Sequence, residues 1–207
     1  MSRRESMSRR AVPYPDDGAL IVVPREVWRR TVDELRVYAP VRSEALVFWG
    51  GIASGHSIHV TGLYLLKHAP QGGCVRLTKE ESRWLLRTLR DRDEKLLGQV
   101  HSHPDTAFHS PGDDERAASF HRGYLSIVAP RFAMQVRDIA DCAVFEFNGR
   151  EFQELSATDV SARVKLTSLF EERAIARSPI PQHERSAGWL ITIVSKLKAK
   201  LTGRQRR

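Results

Sequence analysis

Along the chain, short apolar runs alternate with stretches that repeat at helical spacing. Leu20-Ile21-Val22-Val23 is apolar throughout and mostly β-branched, which predicts a strand over 19–23. Pro24 then stands where the first turn of a helix accepts it. Val27, Trp28, Val32, Leu35 and Tyr38 recur at spacings of one, three and four, predicting an amphipathic helix over 26–38 that Pro40 ends. Residues 44–49 read as a buried strand punctuated by Gly50, Gly51 and Gly55, and 57–66 as its hairpin partner. A loop over 67–76 holds Pro70 and Gly72-Gly73. Thr78 with Glu81 forms a capping box that opens a helix to about Arg90, with Trp84, Leu85 and Leu89 facing inward.

The second half continues the alternation. Residues 95–100 predict a strand that runs into His101, and a helix opens at Ser110-Pro111 and continues through Phe120. Another strand is expected over 124–129, then a hairpin of 142–147 and 151–155 turned at Asn148-Gly149. A last helix is expected over about 157–176. Interleaved strands and helices, several joined as hairpins, predict an α/β (α+β mixed) fold: one domain, with a central mixed β-sheet and helices on its faces. Residues 1–18 are expected to be a basic, disordered segment. Residues 19–177 form the domain with its C-terminal helix, and 178–207 a linker, Ser178-Pro-Ile-Pro-Gln182, and a basic tail.

Charge changes the picture less than its total suggests. Of the formal +8, residues 1–12 carry +3 and residues 182–207 carry +6, which leaves 13–181 at −1. A basic groove for a polyanion on the fold itself is therefore not supported, although the tails could touch one, and neither nucleic acid nor membrane is expected as a partner. The basic, apolar stretch Trp189–Leu201 is expected to pack or stay disordered rather than lie on a membrane surface. Two cysteines, Cys74 and Cys142, are too few for a disulfide scaffold. No secretory signal and no run of about eighteen apolar residues is present, so a cytoplasmic setting is expected.

The candidate chemistry sits in His101-Ser102-His103-Pro104 and Ser110-Pro111-Gly112-Asp113. Histidines at i and i+2 of a strand point to one face. Two imidazoles and a carboxylate then converge where a strand ends and a helix begins. Three protein ligands with a fourth position left to water is the coordination of catalytic zinc. Each part has a plainer reading: Ser110 caps the helix opened by Pro111, and Asp113 complements its positive end. Together, within thirteen residues and behind an apolar strand, they favour the metal. His109 and Asp105 are expected as solvated residues at the site mouth, and His56, His59 and His68 at the surface. Cys142 is expected in the core, and Cys74 has no assigned role.

His-x-His-Pro, five intervening residues, Ser-x-x-Asp, and Glu44 far upstream at the head of an apolar strand resemble the JAMM (JAB/MPN) metalloproteases over about residues 19–156. The spacer is one residue shorter than in the family, and Val47 stands where glycine is frequent. Asp114 directly follows Asp113, but the Ser-x-x-Asp spacing selects Asp113. The resemblance implies a cytidine-deaminase-like arrangement of the sheet. It implies Zn2+ held by His101, His103 and Asp113, Glu44 as general base, and Ser110 as donor to the oxyanion. It further implies a bacterial stand-alone peptidase or isopeptidase that cleaves after the tail of a ubiquitin-like protein, with compact segments at 67–77 and 114–123. Cognate activating and conjugating enzymes would be its partners, with an antiphage conjugation pathway as one such setting. The alternatives are a zinc hydrolase acting on sulfur-carrier tails and a non-catalytic scaffold associated with nucleic acid; filled ligand positions argue against the scaffold.

Overall fold

The computed structural model describes residues 18–66, 77–168 and 176–177. Strand β1 (Leu20–Pro24) runs directly into helix α1 (Arg25–Arg36), and a single 3-10 turn, Ala39–Val41, holds Pro40. Strands β2 (Leu46–Ser54) and β3 (Ser57–Leu65) form the hairpin, followed by α2 (Lys79–Asp91), which Thr78 and Glu81 cap reciprocally. Then come β4 (Lys95–Ser102), α3 (Pro111–Arg116), β5 (Leu125–Ala129), β6 (Ala143–Phe147) and β7 (Phe152–Glu154). Helix α4 (Ala157–Arg163), β8 (Val164–Thr167) and the two-residue β9 (Ala176–Arg177) complete the order.

The strands form one curled mixed sheet in the order β7-β6-β5-β4-β2-β3-β1-β8, with β9 pairing alongside β3. β2 is antiparallel to both β3 and β4, whereas β4 and β5 are parallel, joined by a crossover that contains α3. Alternation along β2 divides the core. Val47 and Trp49 join Val27, Trp28, Val32 and Leu35 of α1 on one face, while Leu46 and Phe48 join Leu85 and Leu89 of α2 on the other. Fully burying Val32 or Leu35 contributes roughly 1.5–3 kcal/mol relative to exposure. Trp49 Nε1 donates to Thr31 Oγ1 at 3.0 Å, so the indole meets its only polar requirement inside that layer.

Three expectations change. The last helix ends at Arg163, and Val164–Thr167 forms β8, parallel to β1 with Ile21 opposite Val164. Val160 and Val164, four apart and both buried, imitate a helical stripe, but β1 offers an open edge that a strand satisfies and a helix cannot. The helix expected through Phe120 stops at Arg116, because Ala117 is extended (φ −55°, ψ 137°) and the Ala118 N–H donates to Gln99 Oε1. Gly50 and Gly51 do not end the strand. They sit at a β-bulge inside β2, where a Cβ on Gly50 would lie 2.6 Å from Tyr64 and from Glu94 Oε2, and one on Gly51 would lie 2.3 Å from the His59 carbonyl.

Among the described residues no helix is long and apolar enough to cross a membrane. The expected disorder of the N-terminal segment concerns residues 1–17, outside the described residues. The 67–76 loop with Cys74 and His68, the linker at 178–182 and the Trp189–Leu201 stretch also lie outside them.

Candidate metal centre

A second irregularity, between β2 and β4, leaves Trp49 opposite Gly98 but Gly50 opposite Leu96. Beyond it Gln99 and His101 alternate onto the α2 side of the sheet, and His103, just past the strand end, continues the alternation. His101 is 6% and His103 4% exposed, with ring centroids 5.0 Å apart. Asp113 arrives from α3. His101 Nε2 lies 3.7 Å from Asp113 Oδ1, and His103 Nε2 lies 3.5 Å from Asp113 Oδ2. One donor atom from each of the three side chains falls within 4.8 Å of the others.

Ser110 is both cap and neighbour of the cluster. Its hydroxyl donates to Asp113 Oδ2 at 2.7 Å and its N–H donates to the same oxygen at 2.8 Å, while the Asp113 N–H donates back to Ser110 Oγ at 3.2 Å. The helix-capping reading and the site reading are thus the same set of bonds. Glu44 is half-buried just ahead of β2. The β2–β4 ladder pairs Leu46 with His101 and continues through Ala45 and Ser102. The segment that carries Glu44 therefore runs beside the strand that carries both imidazoles.

The donor set fits a cation. Nδ1 and Nε2 of His101 and Nδ1 of His103 are buried without a hydrogen-bond partner, a costly state for polar atoms that ligation would relieve. Burial, opposed by the Asp113 carboxylate, lowers the His101 pKa and keeps its ring neutral, the form that ligates. Burial raises the Asp113 pKa, but the facing His101 and His103 and the Ser110 donor outweigh it and hold the carboxyl well below the ordinary carboxylate range. A carboxylate beside two imidazoles, that of His101 held neutral by its burial, is ready for a divalent ion.

The backbone of His103 is gripped at both ends. Its N–H donates to the Ala129 carbonyl at 2.9 Å, and its carbonyl accepts from the Phe132 N–H at 2.8 Å. Phe132 lies in a turn of three successive non-glycine residues in the left-handed region: Arg131 (φ 51°), Phe132 (φ 53°) and Ala133 (φ 59°). Arg36 of α1 ties this turn down, donating from Nε to the Ala133 carbonyl at 2.9 Å and from Nη2 to the Val136 carbonyl at 2.7 Å.

His109 departs from expectation. Its side chain is 4% exposed rather than solvated, and its ring lies 4.8 Å from both Phe145 and Phe152, centroid to centroid. Burial lowers its pKa, against the pull of Asp114. The signal for this lay in the strands, where Gln99 and Ser126 are polar residues inside otherwise buried runs and pair across the β4–β5 ladder. His56 and His59 are exposed, as expected. Cys142 packs half-buried against the α1-side core, and burial pushes its thiol up to about 12, far from a nucleophile's range.

No family model matches the chain. A probable metalloprotease of Sinorhizobium fredii is 28% identical over 158 residues, which span 74% of this chain and 98% of that protein. The solution structure of a Desulfitobacterium hafniense protein superposes with a TM-score of 0.56 at 19% identity, covering 73% of this chain and 96% of the other. That likeness concerns the fold alone.

Proposed function

We propose that the chain is a metal-dependent peptidase, and more finely a zinc peptidase or isopeptidase of JAMM type that cleaves after the tail of a ubiquitin-like protein. The observation that carries this is the grouping of His101, His103 and Asp113, with donor atoms within 4.8 Å of one another, at a strand end and with unpartnered imidazole nitrogens. The relation to a probable metalloprotease over nearly its whole length supports the peptidase reading. Two imidazoles and one carboxylate form the three-ligand set of catalytic zinc rather than a closed structural site. The bound ion would supply acidification of water and polarisation of the scissile carbonyl.

The chain's own groups then divide the work. Glu44 accepts a proton from the attacking water at its carboxylate and returns it to the departing amine. Ser110, whose hydroxyl donates to Asp113 Oδ2 in the free site, turns that one proton from Asp113 to the carbonyl oxygen as that oxygen gains negative charge. An extended tail with small terminal residues suits a site at a strand end, where main-chain groups align it. A partner ubiquitin-like protein, with its activating and conjugating enzymes, belongs to this proposal.

The test is metal content and cleavage together. Wild type should hold one zinc per chain and cleave ubiquitin-like fusions or isopeptide conjugates. Glu44→Gln should keep the zinc and lose cleavage, while Asp113→Asn should lose both. A wild type that takes up no metal after reconstitution with zinc would sink the proposal.

A further inference from the structure

Helix α3 delivers Asp113, yet it has only six residues, too short to persist by its own hydrogen bonds. Something outside it must set where Asp113 stands. The Tyr124 hydroxyl donates to Gln99 Oε1 at 3.2 Å, and Gln99 Nε2 donates to Ser126 Oγ at 3.2 Å. Ser126 Oγ and His109 Nε2 are 2.9 Å apart, and His109 Nδ1 and Asp114 Oδ1 are 2.9 Å apart. Ser126 accepts from Gln99, so its proton is left for His109 Nε2. A neutral His109 then carries its own proton on Nδ1 and donates it to Asp114. The four bonds thus run in one direction, from the sheet to α3, and each polar group has a role.

The chain fastens α3 on both sides. His109 precedes Ser110 directly and ties the helix start to Ser126 on β5. At the far end, the Ala118 N–H donates to Gln99 Oε1 at 3.2 Å. Gln99 is 4% exposed, and Tyr124 and Ser126 are fully buried. In such surroundings these bonds are strong when complete and costly when broken. Gln99 also lies two residues before His101 on the same strand face, so one side chain references α3 to the strand that bears the imidazoles.

We propose that Gln99, Ser126 and His109 are positioning residues: their hydrogen-bonded chain sets the distance of Asp113 from His101 and His103, and so sets the affinity of the metal centre. This rests on the metal-centre reading above. None of the three residues belongs to the ligand group. They act through Asp113, as outer groups that orient metal ligands do.

The experiment uses the full chain with Zn2+ or Co2+ as the only added probe. Affinity is measured by competition with a chromogenic chelator, and the visible Co2+ spectrum reports the coordination. His109→Ala and Ser126→Ala should each weaken binding about tenfold and alter the Co2+ spectrum. The double variant should be no weaker than either single one, since both break the same chain. Asp114→Ala, which removes the acceptor at the half-exposed outer end where folding is not at stake, should weaken binding in the same direction. Val27→Ala, in the opposite core layer, serves as a control that lowers the melting temperature comparably and leaves affinity and spectrum unchanged. Wild-type affinity in Ser126→Ala and Asp114→Ala would overturn the positioning role, as would losses that merely track melting temperature. A wild type that binds neither ion would overturn the metal-centre reading first, and this proposal with it.

Discussion

Ser102 and Ala45 exchange two hydrogen bonds across the β2–β4 ladder: the Ser102 N–H donates to the Ala45 carbonyl at 3.0 Å, and the Ala45 N–H donates to Ser102 Oγ at 3.1 Å. Ser102 lies between the two histidines, and Ala45 follows Glu44. The pair therefore joins the strand that carries the imidazoles to the segment that carries the carboxylate, at the point where both leave the sheet.

Ser102→Ala should expose this link. The Ala45 N–H would lose its acceptor in a fully buried position, costing about 1–3 kcal/mol. Urea denaturation should show that loss. On the proposed role of Glu44 as base, metal content should stay at the wild-type level while cleavage falls about tenfold or more, because the segment carrying Glu44 loses one of its ties. Unchanged cleavage would detach Ser102 from the placement of Glu44.

Acid should destabilise the metal-free protein well before ordinary carboxylates titrate. The side chains of His101 and His109 are buried and His121 is partly buried, and each has a lowered pKa, so the unfolded chain binds more protons than the folded one below about 6.5. Their contribution is present above that pH and is lost as pH falls through the lowered folded values. Asp113, also lowered, adds its loss only in strong acid. Melting temperatures recorded with chelator from pH 8 to pH 4 should be level at first and then decline below about pH 6.5. A curve level down to pH 4 would contradict the burial of these rings as neutral species.

Gly51→Ala should be among the more damaging small substitutions. The added methyl would meet the His59 carbonyl, which belongs to the paired strand and cannot swing aside as a side chain does. A cost of about 1–3 kcal/mol is expected, read as a lower urea midpoint with unchanged slope. Gly55→Ala meets no atom within 4 Å, but its φ of +60° still disfavours a side chain, so a smaller loss is expected there.

Arg131→Gly should stabilise the protein, an unusual result for a glycine substitution. Arg131 is exposed and left-handed, a conformation that costs a non-glycine residue about 1–2 kcal/mol. Relief of that cost should exceed the loss of its side-chain bond to Gln135. A lowered urea midpoint would show that the arginine side chain matters more than its backbone strain.

Much of this was legible in the chain. Apolar runs and helical stripes located β1, α1, β2, β3 and α2, and the spacing of His101, His103, Ser110 and Asp113 brought out a group that the fold does gather. What escaped has identifiable causes. β8 was hidden because Val160 and Val164 satisfy a helical period, and its partner β1 lies at the other end of the domain. His109 was hidden because a loop histidine carries no local mark of burial; the mark is on Gln99 and Ser126, in other strands. The left-handed turn was hidden because Arg-Phe-Ala contains none of the residues, glycine or asparagine, that usually announce it.

The pairing of β1 with β8 also orders events in time. The first strand of the sheet obtains its outer neighbour from residues 164–167. A chain emerging from the ribosome therefore presents His101, His103 and Asp113 before the edge of its sheet is covered. The residues of the candidate metal centre are thus all synthesised before the strand that flanks β1, so the sheet closes around a group already present.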